Sequence, residues 1–480
     1  MLQESCKRYA ENVAIIYEEL SLTYSELNKA VNALGNHLKS LGLKKGDKVA
    51  LLLPNCPDFI ISYFAIQKIG AVAVTLNIMS TAYELRHLLG NSEAKALITE
   101  VPLAKRFEEI SLDIPLCRHL IVTNGLDTAS PFRDIVDKGP FTLDITEIDG
   151  DDPAVIIYTA GLTGKPLGAV LTHRNLLGQS KLIRDLCGGT EKDRALCVIP
   201  FFHSFGTAIN LLSAVRIGAC MVLMDRFGIG GILNAIERYK VTYIAAIPEV
   251  FLGMLFYKET KQHYNVSSLR LCITGGAAMP PEFILPFEER FGIKVMEGYG
   301  LTEASPVCAF SRPDMVQKPG SIGVAIPGVE VKIVDYQGNE VSPNENGELI
   351  VKGENVMRGY YKDEEATAMV IRNGWLYTGD LAKVDEEGYI FITGRKKRMI
   401  ITSGFNVYPQ EVELVLGMHP AVKASRVIGV SDLMRGEVVK ALIVKKKGEE
   451  TDKKSIVRHC RHYLSPHKIP RKVEFVDNID

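Results

Sequence analysis

Apolar residues near the N-terminus recur at helical spacing. Thr23 and Glu26 have the spacing of a capping box, in which a hydroxyl and a carboxylate cap the first turn of a helix. The apolar positions that follow are separated by steps of four and three residues: Leu27, Val31, Leu34, Leu38 and Leu41. These steps place the side chains on one face, and Gly42 is suited to the end of a helix. The pattern predicts an amphipathic helix that begins behind Thr23 and ends at Gly42.

Short apolar runs then alternate with helical patterns, the first of them at about residues 58–69. The runs predicted as strands are residues 49–53, 71–76, 94–99, 118–122, 195–199, 219–223, 243–247, 269–274 and 294–297. Alternation of strands and helices over this length predicts an α/β fold, with helices on the faces of layered sheets. In such folds ligands bind at the loops that leave the strand ends.

The character of the sequence changes twice in its later part. From residue 320 to about 361, short strands and tight turns predict a small β subdomain. After Gly394 a cationic linker at 395–398 leads into about eighty residues of mixed α and β pattern. We therefore predict a large domain over residues 1–394, a hinge at 395–398 and a small α+β domain over residues 399–480.

Composition excludes several classes of function. The net charge of −1 gives no reason to expect a general affinity for nucleic acid or acidic membrane. Nine cysteines without a C-x-x-C pair favour a reducing compartment and argue against structural zinc. The N-terminus lacks the apolar core of a signal peptide, and the apolar run 59–76 is interrupted by Gln67, Lys68 and Gly70. The sequence predicts a cytoplasmic protein with no transmembrane segment.

A glycine-rich segment at residues 158–168 lies between two predicted strands. Its candidate phosphate-binding residues supply backbone N–H groups, hydroxyls or a positive charge: Thr159, Gly161, Thr163, Gly164 and Lys165. It is not a Walker P-loop, because Thr159 stands where that motif has glycine and Pro166 where it has serine or threonine. A phosphate cradle and a plain hairpin turn with an exposed lysine both fit this segment.

Further motifs follow the glycine-rich segment in a fixed order. They lie at residues 200–206, 275–277, 298–303, 375–380, 394–395 and 403–406. This series resembles the adenylate-forming superfamily of acyl-CoA synthetases, luciferases and peptide-synthetase adenylation domains. The resemblance extends from about Thr23 to the end of the chain, and the segment 405–413 is most similar to fatty-acyl and aryl CoA ligases.

The resemblance implies an ATP-dependent, AMP-forming acyl-CoA ligase with Mg²⁺. Its substrate would be a monocarboxylic acid of medium or long aliphatic, or aryl, type. A carboxylate is a poor electrophile, so the first half-reaction makes acyl-AMP and pyrophosphate, provided the growing charge is stabilised and water is excluded. The second half-reaction transfers the acyl group to CoA and releases AMP. The protein would be a monomer or a homodimer.

The resemblance also assigns roles to residues of the nucleotide site. Thr302 would bind the α-phosphate and Glu303 would be a ligand of Mg²⁺. The adenine and ribose sites would consist of Gly275, Gly276, Ala277, Tyr299, Gly300, Asp380 and Arg395. A capped helix start at Thr302, a plain turn at Gly275 and a turn cap at Asp380 are the alternative structural explanations.

Three more residues are assigned to acyl transfer. His203, together with Gly300, would line the acyl pocket, although a histidine between aromatic residues is also typical of a protein core. Lys397 would be the hinge about which the small domain rotates between half-reactions. Gly404 would let the pantetheine arm of CoA pass close to the backbone.

The chain departs from the family pattern at several positions. Leu162 replaces a frequent threonine and Leu167 a lysine, which predicts weaker binding of the phosphates. The family's C-terminal lysine has no counterpart before Asp480, so we expect the small domain to be incomplete. Leu167 and the missing lysine leave open a relative that binds acyl groups or nucleotides without catalysis. A ligase that loads a carrier protein in place of CoA is a second alternative.

Overall fold

The computed structural model describes residues 1–123, 131–160, 165–224, 228–258, 264–396, 399–432 and 434–479. Below, residues 1–396 are called the N-terminal part and residues 399–479 the C-terminal part. The α-helices of the described ranges are α1 (Leu2–Arg8), α2 (Tyr24–Ser40), α3 (Pro57–Lys68), α4 (Ala82–Ser92), α5 (Val101–Glu108), α6 (Pro131–Lys138), α7 (His173–Gln179), α8 (Leu182–Cys187), α9 (Ser213–Ile217), α10 (Ile229–Tyr239), α11 (Pro248–Phe256), α12 (Ile284–Phe291), α13 (Glu364–Val370), α14 (Pro409–Gly417) and α15 (Lys453–Tyr463). A π-helix spans Gly206–Leu212, and one-turn 3₁₀ helices span Ser111–Asp113, Pro281–Phe283 and Thr302–Ala304.

The capping box predicted at the N-terminus is present in α2. The amide of Glu26 donates to the hydroxyl of Thr23, and the amide of Thr23 donates to the Glu26 carboxylate at 2.8 Å. The helix ends at Ser40, two residues before the expected stop, and Gly42 adopts a φ of 82° in the following turn. The same capping arrangement recurs at the start of α4, between Thr81 and Glu84.

The first sheet of the N-terminal part has, in the described ranges, nine strands. They are β1 (Val13–Tyr17), β2 (Leu20–Thr23), β9 (Arg194–Cys197), β10 (Cys220–Leu223), β11 (Tyr243–Ala246), β12 (Leu271–Thr274), β13 (Val295–Gly300), β14 (Val307–Phe310) and β15 (Val324–Ala325). Their spatial order is β15-β14-β13-β12-β11-β9-β10-β1-β2. The strands from β13 to β1 pair in parallel, and the two edges are antiparallel.

The second sheet has seven strands within the part of the chain that the structure describes. They are β3 (Lys48–Leu52), β4 (Val72–Thr75), β5 (Ala94–Glu100), β6 (His119–Thr123), β7 (Pro153–Ala160), β8 (Pro166–Thr172) and β18 (Gly359–Tyr360). The order is β18-β8-β7-β4-β3-β5-β6. β7 and β8 form an antiparallel hairpin in which Tyr158 lies opposite Gly168. The hairpin therefore exists, and the loop at its tip lies outside the described residues.

The two sheets share a central core because successive strand residues face opposite ways. In β3, Val49 and Leu51 pack in the largest buried cluster, whereas Ala50 and Leu52 pack in a second cluster on the other face. β9 behaves in the same way, since Ala195 and Cys197 belong to the central cluster and Leu196, on the other face, belongs to a third cluster. Burial of both faces is typical of parallel sheets covered by helices, and it confirms the predicted layered α/β fold.

The β subdomain is larger than the sequence indicates. Its antiparallel sheet comprises β16 (Val329–Val334), β17 (Gly347–Gly353), β19 (Ile371–Arg372), β20 (Trp375–Val384) and β21 (Ile390–Arg395). The sheet thus continues past residue 361 up to Arg395, because the long strand β20 pairs with both β17 and β21. The short strand β18 joins the second sheet instead.

The C-terminal part is a mixed sheet with two helices and its own core. Its strands are β22 (Ile400–Thr402), β23 (Phe405–Val407), β24 (Val422–Asp432), β25 (Gly436–Lys445) and β26 (Lys472–Phe475). Its buried side chains, from Ile400 to Leu464, form a cluster separate from the N-terminal clusters. The exact domain bounds stay a prediction. Among the described helices, none has both the length and the apolar character of a membrane span.

Candidate active site

A cavity of about 560 Å³ lies where the N-terminal sheets meet the C-terminal part. Strand ends supply much of its lining: Thr159 is near the end of β7, Gly275 follows β12, and Tyr299 and Gly300 end β13. The volume is typical of small-molecule sites, which measure roughly 300–1,000 Å³. The cavity therefore occupies the edge at which sheets of this kind bind ligands.

The cavity brings together most of the residues selected from the sequence. The described ones that line it are Thr159, His203, Gly275, Gly276, Ala277, Tyr299, Gly300, Thr302, Glu303, Asp380, Arg395 and Gly404. Lys165 lies at the surface with an exposed side chain, outside this lining. The predictions for Gly161, Thr163, Gly164 and Lys397 fall outside the described residues.

Asp380 is held at the cavity wall by two neighbours. The pairing of β20 with β21 sets Asp380 directly opposite Arg395, whose Nε donates to Oδ1 at 3.0 Å. The hydroxyl of Tyr299 donates to Oδ2 at 2.5 Å. Burial and the Asp380 charge raise the pKa of Tyr299, so the phenol stays protonated as a donor. The carboxylate is thereby fixed in position while it faces the cavity.

Glu303 lies on a single 3₁₀ turn that follows β13. Its Oε1 accepts hydrogen bonds from the hydroxyls of Tyr360 at 2.8 Å and Thr159 at 3.2 Å. Within the described residues Oε2 accepts no hydrogen bond, so one carboxylate oxygen is available to a cation in the cavity. The Oγ atoms of the preceding Thr302 and of Ser204 are 3.3 Å apart. The turn thus presents a hydroxyl and a carboxylate side by side.

His203 is a neutral imidazole that faces the cavity. The amide of Phe205 donates to Nδ1 at 3.2 Å, so the ring proton is on Nε2. Burial lowers the pKa of His203 from 6.5 to about 4, because the imidazolium would lose its hydration. The side chain is half-buried and lines the cavity, where it presents an N–H donor, so it is not the enclosed core histidine of the alternative explanation.

The C-terminal part closes one side of the cavity with the loop around Gly404. Gly404 has a φ of 77°, and a Cβ at this position would lie 2.6 Å from Cγ2 of Ile247. Asn406 and Tyr408 of the same segment also line the cavity. In this arrangement the glycine loop of the C-terminal part is directed at the cavity.

Two family models match the chain. The model described as AMP-binding enzyme matches residues 2–361, and that described as AMP-binding enzyme C-terminal domain matches residues 411–480. The chain belongs to the AMP-binding enzyme family.

Its relatives include curated and structurally solved ligases. The long-chain-fatty-acid–CoA ligase of Bacillus subtilis (strain 168) is 36% identical over 99% of this chain and 90% of that protein. Feruloyl-CoA synthase of Amycolatopsis sp. is 36% identical over 97% of this chain and 92% of that protein. A variant of o-succinylbenzoate CoA synthetase from Bacillus subtilis, solved with its product analogue, has a TM-score of 0.87 at 30% identity over 100% and 95% of the two chains. The predicted superfamily and enzyme class, an AMP-forming acyl-CoA ligase, are confirmed.

The site of this AMP-binding enzyme contains residues that sequence reasoning missed. Glu297 lines the cavity, and burial raises its pKa to about 7. It could have been found, because it is two residues before Tyr299 on the same strand and so shares its face. Tyr360 holds Glu303 from 57 positions away in the chain, and Ser204 contacts Thr302 from 98 positions away. Contacts between such distant segments leave no local signal in the sequence.

The low pKa of His203 in this AMP-binding enzyme leads to a prediction about the pH profile of adenylation. Since its pKa is about 4, His203 should remain neutral throughout the range in which an ordinary histidine titrates. We expect the pH profile of adenylation to keep its shape in His203→Gln, with a lower rate at every pH. An inflection between pH 6 and 7 that disappears in this variant would contradict the assignment. Glu297→Gln is the control, because burial raises the pKa of Glu297, in the same cavity, to about 7. An inflection near pH 7 that disappears in Glu297→Gln belongs to Glu297 and not to His203.

Proposed function

We propose that this ligase activates an apolar monocarboxylic acid, of medium or long aliphatic or of aryl type, and transfers it to CoA. The observation that carries the proposal is the single cavity in which Asp380, Glu303 and His203 face the same space. Its remaining lining supports an apolar acid, because side chains without charge form much of it: Leu182, Ile183, Ile209, Ile273, Val307 and Phe310. The named substrates of the relatives, long-chain fatty acids and ferulate, are of the same kind.

In the first half-reaction the side chains orient two anions that repel each other, the carboxylate of the acid and the α-phosphate of ATP. Asp380 accepts hydrogen bonds from the ribose hydroxyls, while Tyr299 and Arg395 hold its carboxylate still. His203 donates its Nε2 proton to an oxygen of the acid, and the hydroxyl of Thr302 donates to the α-phosphate. These donors stabilise the charge that develops as the carboxylate approaches phosphorus.

Glu303 fits the role of a magnesium ligand. A carboxylate oxygen is the type of ligand that Mg²⁺ prefers, and Oε2 is the oxygen left without a hydrogen bond among the described residues. The cation, when bound, would neutralise phosphate charge during adenylation. Tyr360 and Thr159 keep the carboxylate oriented by occupying Oε1.

In the second half-reaction the loop around Gly404 is the acceptor side of the site. Gly404 lets backbone approach Ile247 closely, and no other residue type would fit there without displacement. We infer that this loop guides the thiol arm of CoA towards the acyl carbon. Rotation about residues 395–398 would remove the loop again for the next round of adenylation.

A panel of acids tests the proposed function. Purified enzyme is incubated with ATP, Mg²⁺ and each acid, and with CoA, a carrier protein bearing phosphopantetheine, or neither. AMP, acyl-CoA and acylated carrier are measured by chromatography and mass spectrometry. We expect AMP release to require both an apolar acid and CoA, with free acyl-CoA as the product. Acylation of a carrier protein in place of CoA would show that the enzyme is the carrier-loading ligase of the alternative. Binding of ligands without turnover for any acid would refute it.

The nucleotide role of Asp380 gives a second prediction. Asp380→Ala removes charge-assisted hydrogen bonds of about 1.5–3 kcal/mol each before compensation. The affinity for AMP should then fall at least about tenfold, as measured by calorimetry. Tyr299→Phe is the control, because it removes the hydroxyl that donates to Asp380 and keeps the carboxylate. Unchanged binding of AMP to a folded Asp380→Ala variant would exclude Asp380 from the site.

A further inference from the structure

The N-terminal and C-terminal parts meet at a buried ionic cluster outside the main cavity. Nζ of Lys468 donates to Oε1 of Glu84 at 2.7 Å and to Oε1 of Glu411 at 2.6 Å. The hydroxyl of Ser465 donates to the other oxygen of Glu84 at 2.5 Å. The three charged side chains are 12%, 7% and 8% exposed for Lys468, Glu84 and Glu411, so the contact is shielded from water.

Glu84 is the member of this cluster that comes from the N-terminal part. It is the third residue of α4. In the capping box its Oε2 also accepts a hydrogen bond from the amide nitrogen of Thr81, at 2.8 Å. The hydroxyl of Thr81 donates to the carbonyl of Tyr463 at 3.0 Å. The ring of Tyr463 lies edge-on to Tyr83, with centroids 5.1 Å apart. The start of α4 is therefore a docking point for the C-terminal part.

The two partners of Lys468 differ in what happens when the parts separate. Glu411 belongs to the C-terminal part, so its contact with Lys468 survives a rotation of that part as a body. The contact with Glu84 does not survive, since Glu84 stays behind on α4. Burial opposes the charged form of Glu84, but the charge of Lys468 and the hydrogen bonds from Ser465 and Thr81 outweigh it and lower the pKa of Glu84. Glu84 is thus ionised in the docked arrangement.

The ionic cluster is linked directly to the loop that faces the cavity. Phe405, next to Gly404, stacks on the ring of His467, next to Lys468, with centroids 4.6 Å apart. A short run of covalent and packing contacts therefore joins Glu84, Lys468, His467, Phe405 and Gly404. When Lys468 is seated on Glu84, Gly404 is held against Ile247 at the cavity.

We propose that Glu84 is a positioning residue for the second half-reaction, because its contact with Lys468 selects the arrangement in which the Gly404 loop faces the cavity. This inference rests on the proposed function, in which one arrangement serves each half-reaction. Loss of the contact would leave adenylation intact and deprive thioester formation of its arrangement.

Glu84→Gln tests the proposal with little change to α4. Glutamine at this position keeps the capping box, but it carries no charge for Lys468. We expect thioester formation from preformed acyl-AMP and CoA to slow about ten- to a hundredfold, the change that loss of one charge-assisted hydrogen bond produces. Pyrophosphate exchange, which reports adenylation, should stay within about twofold of the wild type, as should the Kd for AMP.

Glu26→Gln is the matched control. Glu26 occupies the same position in the capping box of α2, and its side chain is exposed. It should leave both half-reactions unchanged, and its shift in Tm measures what loss of a charged capping residue alone costs, without the buried ion pair that Glu84→Gln also loses. Equal losses in both half-reactions for Glu84→Gln, or no loss in either, would overturn the proposal.

Hydrogen exchange supplies a readout that does not depend on activity. In Glu84→Gln we expect faster exchange in segments 403–408 and 463–468, and no such change in Glu26→Gln. If the wild type released no AMP with any acid, the proposed function would fail while this measurement still tested the docking role. Unchanged exchange in both segments would overturn the role of Glu84.

Discussion

Replacing Glu303 with glutamine is expected to slow adenylation about 10²–10³-fold, the loss that follows removal of one stabilising group at a developing charge. The amide is a weaker ligand for a hard cation than the carboxylate it replaces, and Glu303 lines the cavity with Oε2 free of hydrogen bonds from the described residues. The measurement is ATP–pyrophosphate exchange at increasing Mg²⁺ concentration. The half-saturating Mg²⁺ concentration should rise as the rate falls.

Tyr360→Phe distinguishes the role of Glu303 as a metal ligand from the role of the hydrogen bond that orients it. This change removes the hydroxyl that donates to Oε1 at 2.8 Å and leaves the carboxylate charge in place. We expect the rate of adenylation to fall about tenfold, which corresponds to the loss of one hydrogen bond to a charged group. If Glu303→Gln and Tyr360→Phe caused equal losses at saturating Mg²⁺, Glu303 would act through its hydrogen bonds and not as a metal ligand.

The sequence was most informative where one local pattern determines the structure. The capping box at Thr23 predicted α2 because both of its hydrogen bonds lie within four residues. The resemblance assigned Asp380 and Arg395 to one site, and in the structure a single antiparallel pair of strands sets them opposite each other. The layered α/β fold followed from the alternation of strands and helices, which is a property of consecutive segments.

The sequence was least informative about contacts between remote segments. The β subdomain was drawn too short because the pattern 320–361 ends before β20, whose pairing with β17 joins strands that are not consecutive in the chain. The donor Tyr360, the buried Glu297 and the cluster around Lys468 depend on tertiary packing. The spacing of Thr81 and Glu84, which the sequence analysis did not use, is that of a helix cap and carries no information about Lys468, 384 residues later.

Gly404→Ala is expected to slow thioester formation about 10²-fold while leaving adenylation unchanged. A φ of 77° costs a residue with a Cβ about 1–2 kcal/mol, and overpacking a filled site costs about 1–3 kcal/mol more. The second cost arises because the new methyl would lie 2.6 Å from Cγ2 of Ile247. Both costs apply to the arrangement in which the loop faces the cavity, so single-turnover assays of the two half-reactions should separate.

Two further variants distinguish the collision with Ile247 from the strain of the backbone. Gly448 has a φ of 85°, and a Cβ added there would meet no described atom within 4 Å, so Gly448→Ala adds strain without a collision. We expect it to leave thioester formation unchanged, because Gly448 does not belong to the cavity lining.

Ile247→Ala removes the atom that the new methyl meets, so the double variant with Gly404→Ala should recover the part of the rate lost to overpacking. A double variant as slow as Gly404→Ala would mean that backbone strain alone limits the loop. Equal slowing of adenylation and thioester formation in Gly404→Ala would mean that the loop faces the cavity in both half-reactions, contrary to the function proposed for it.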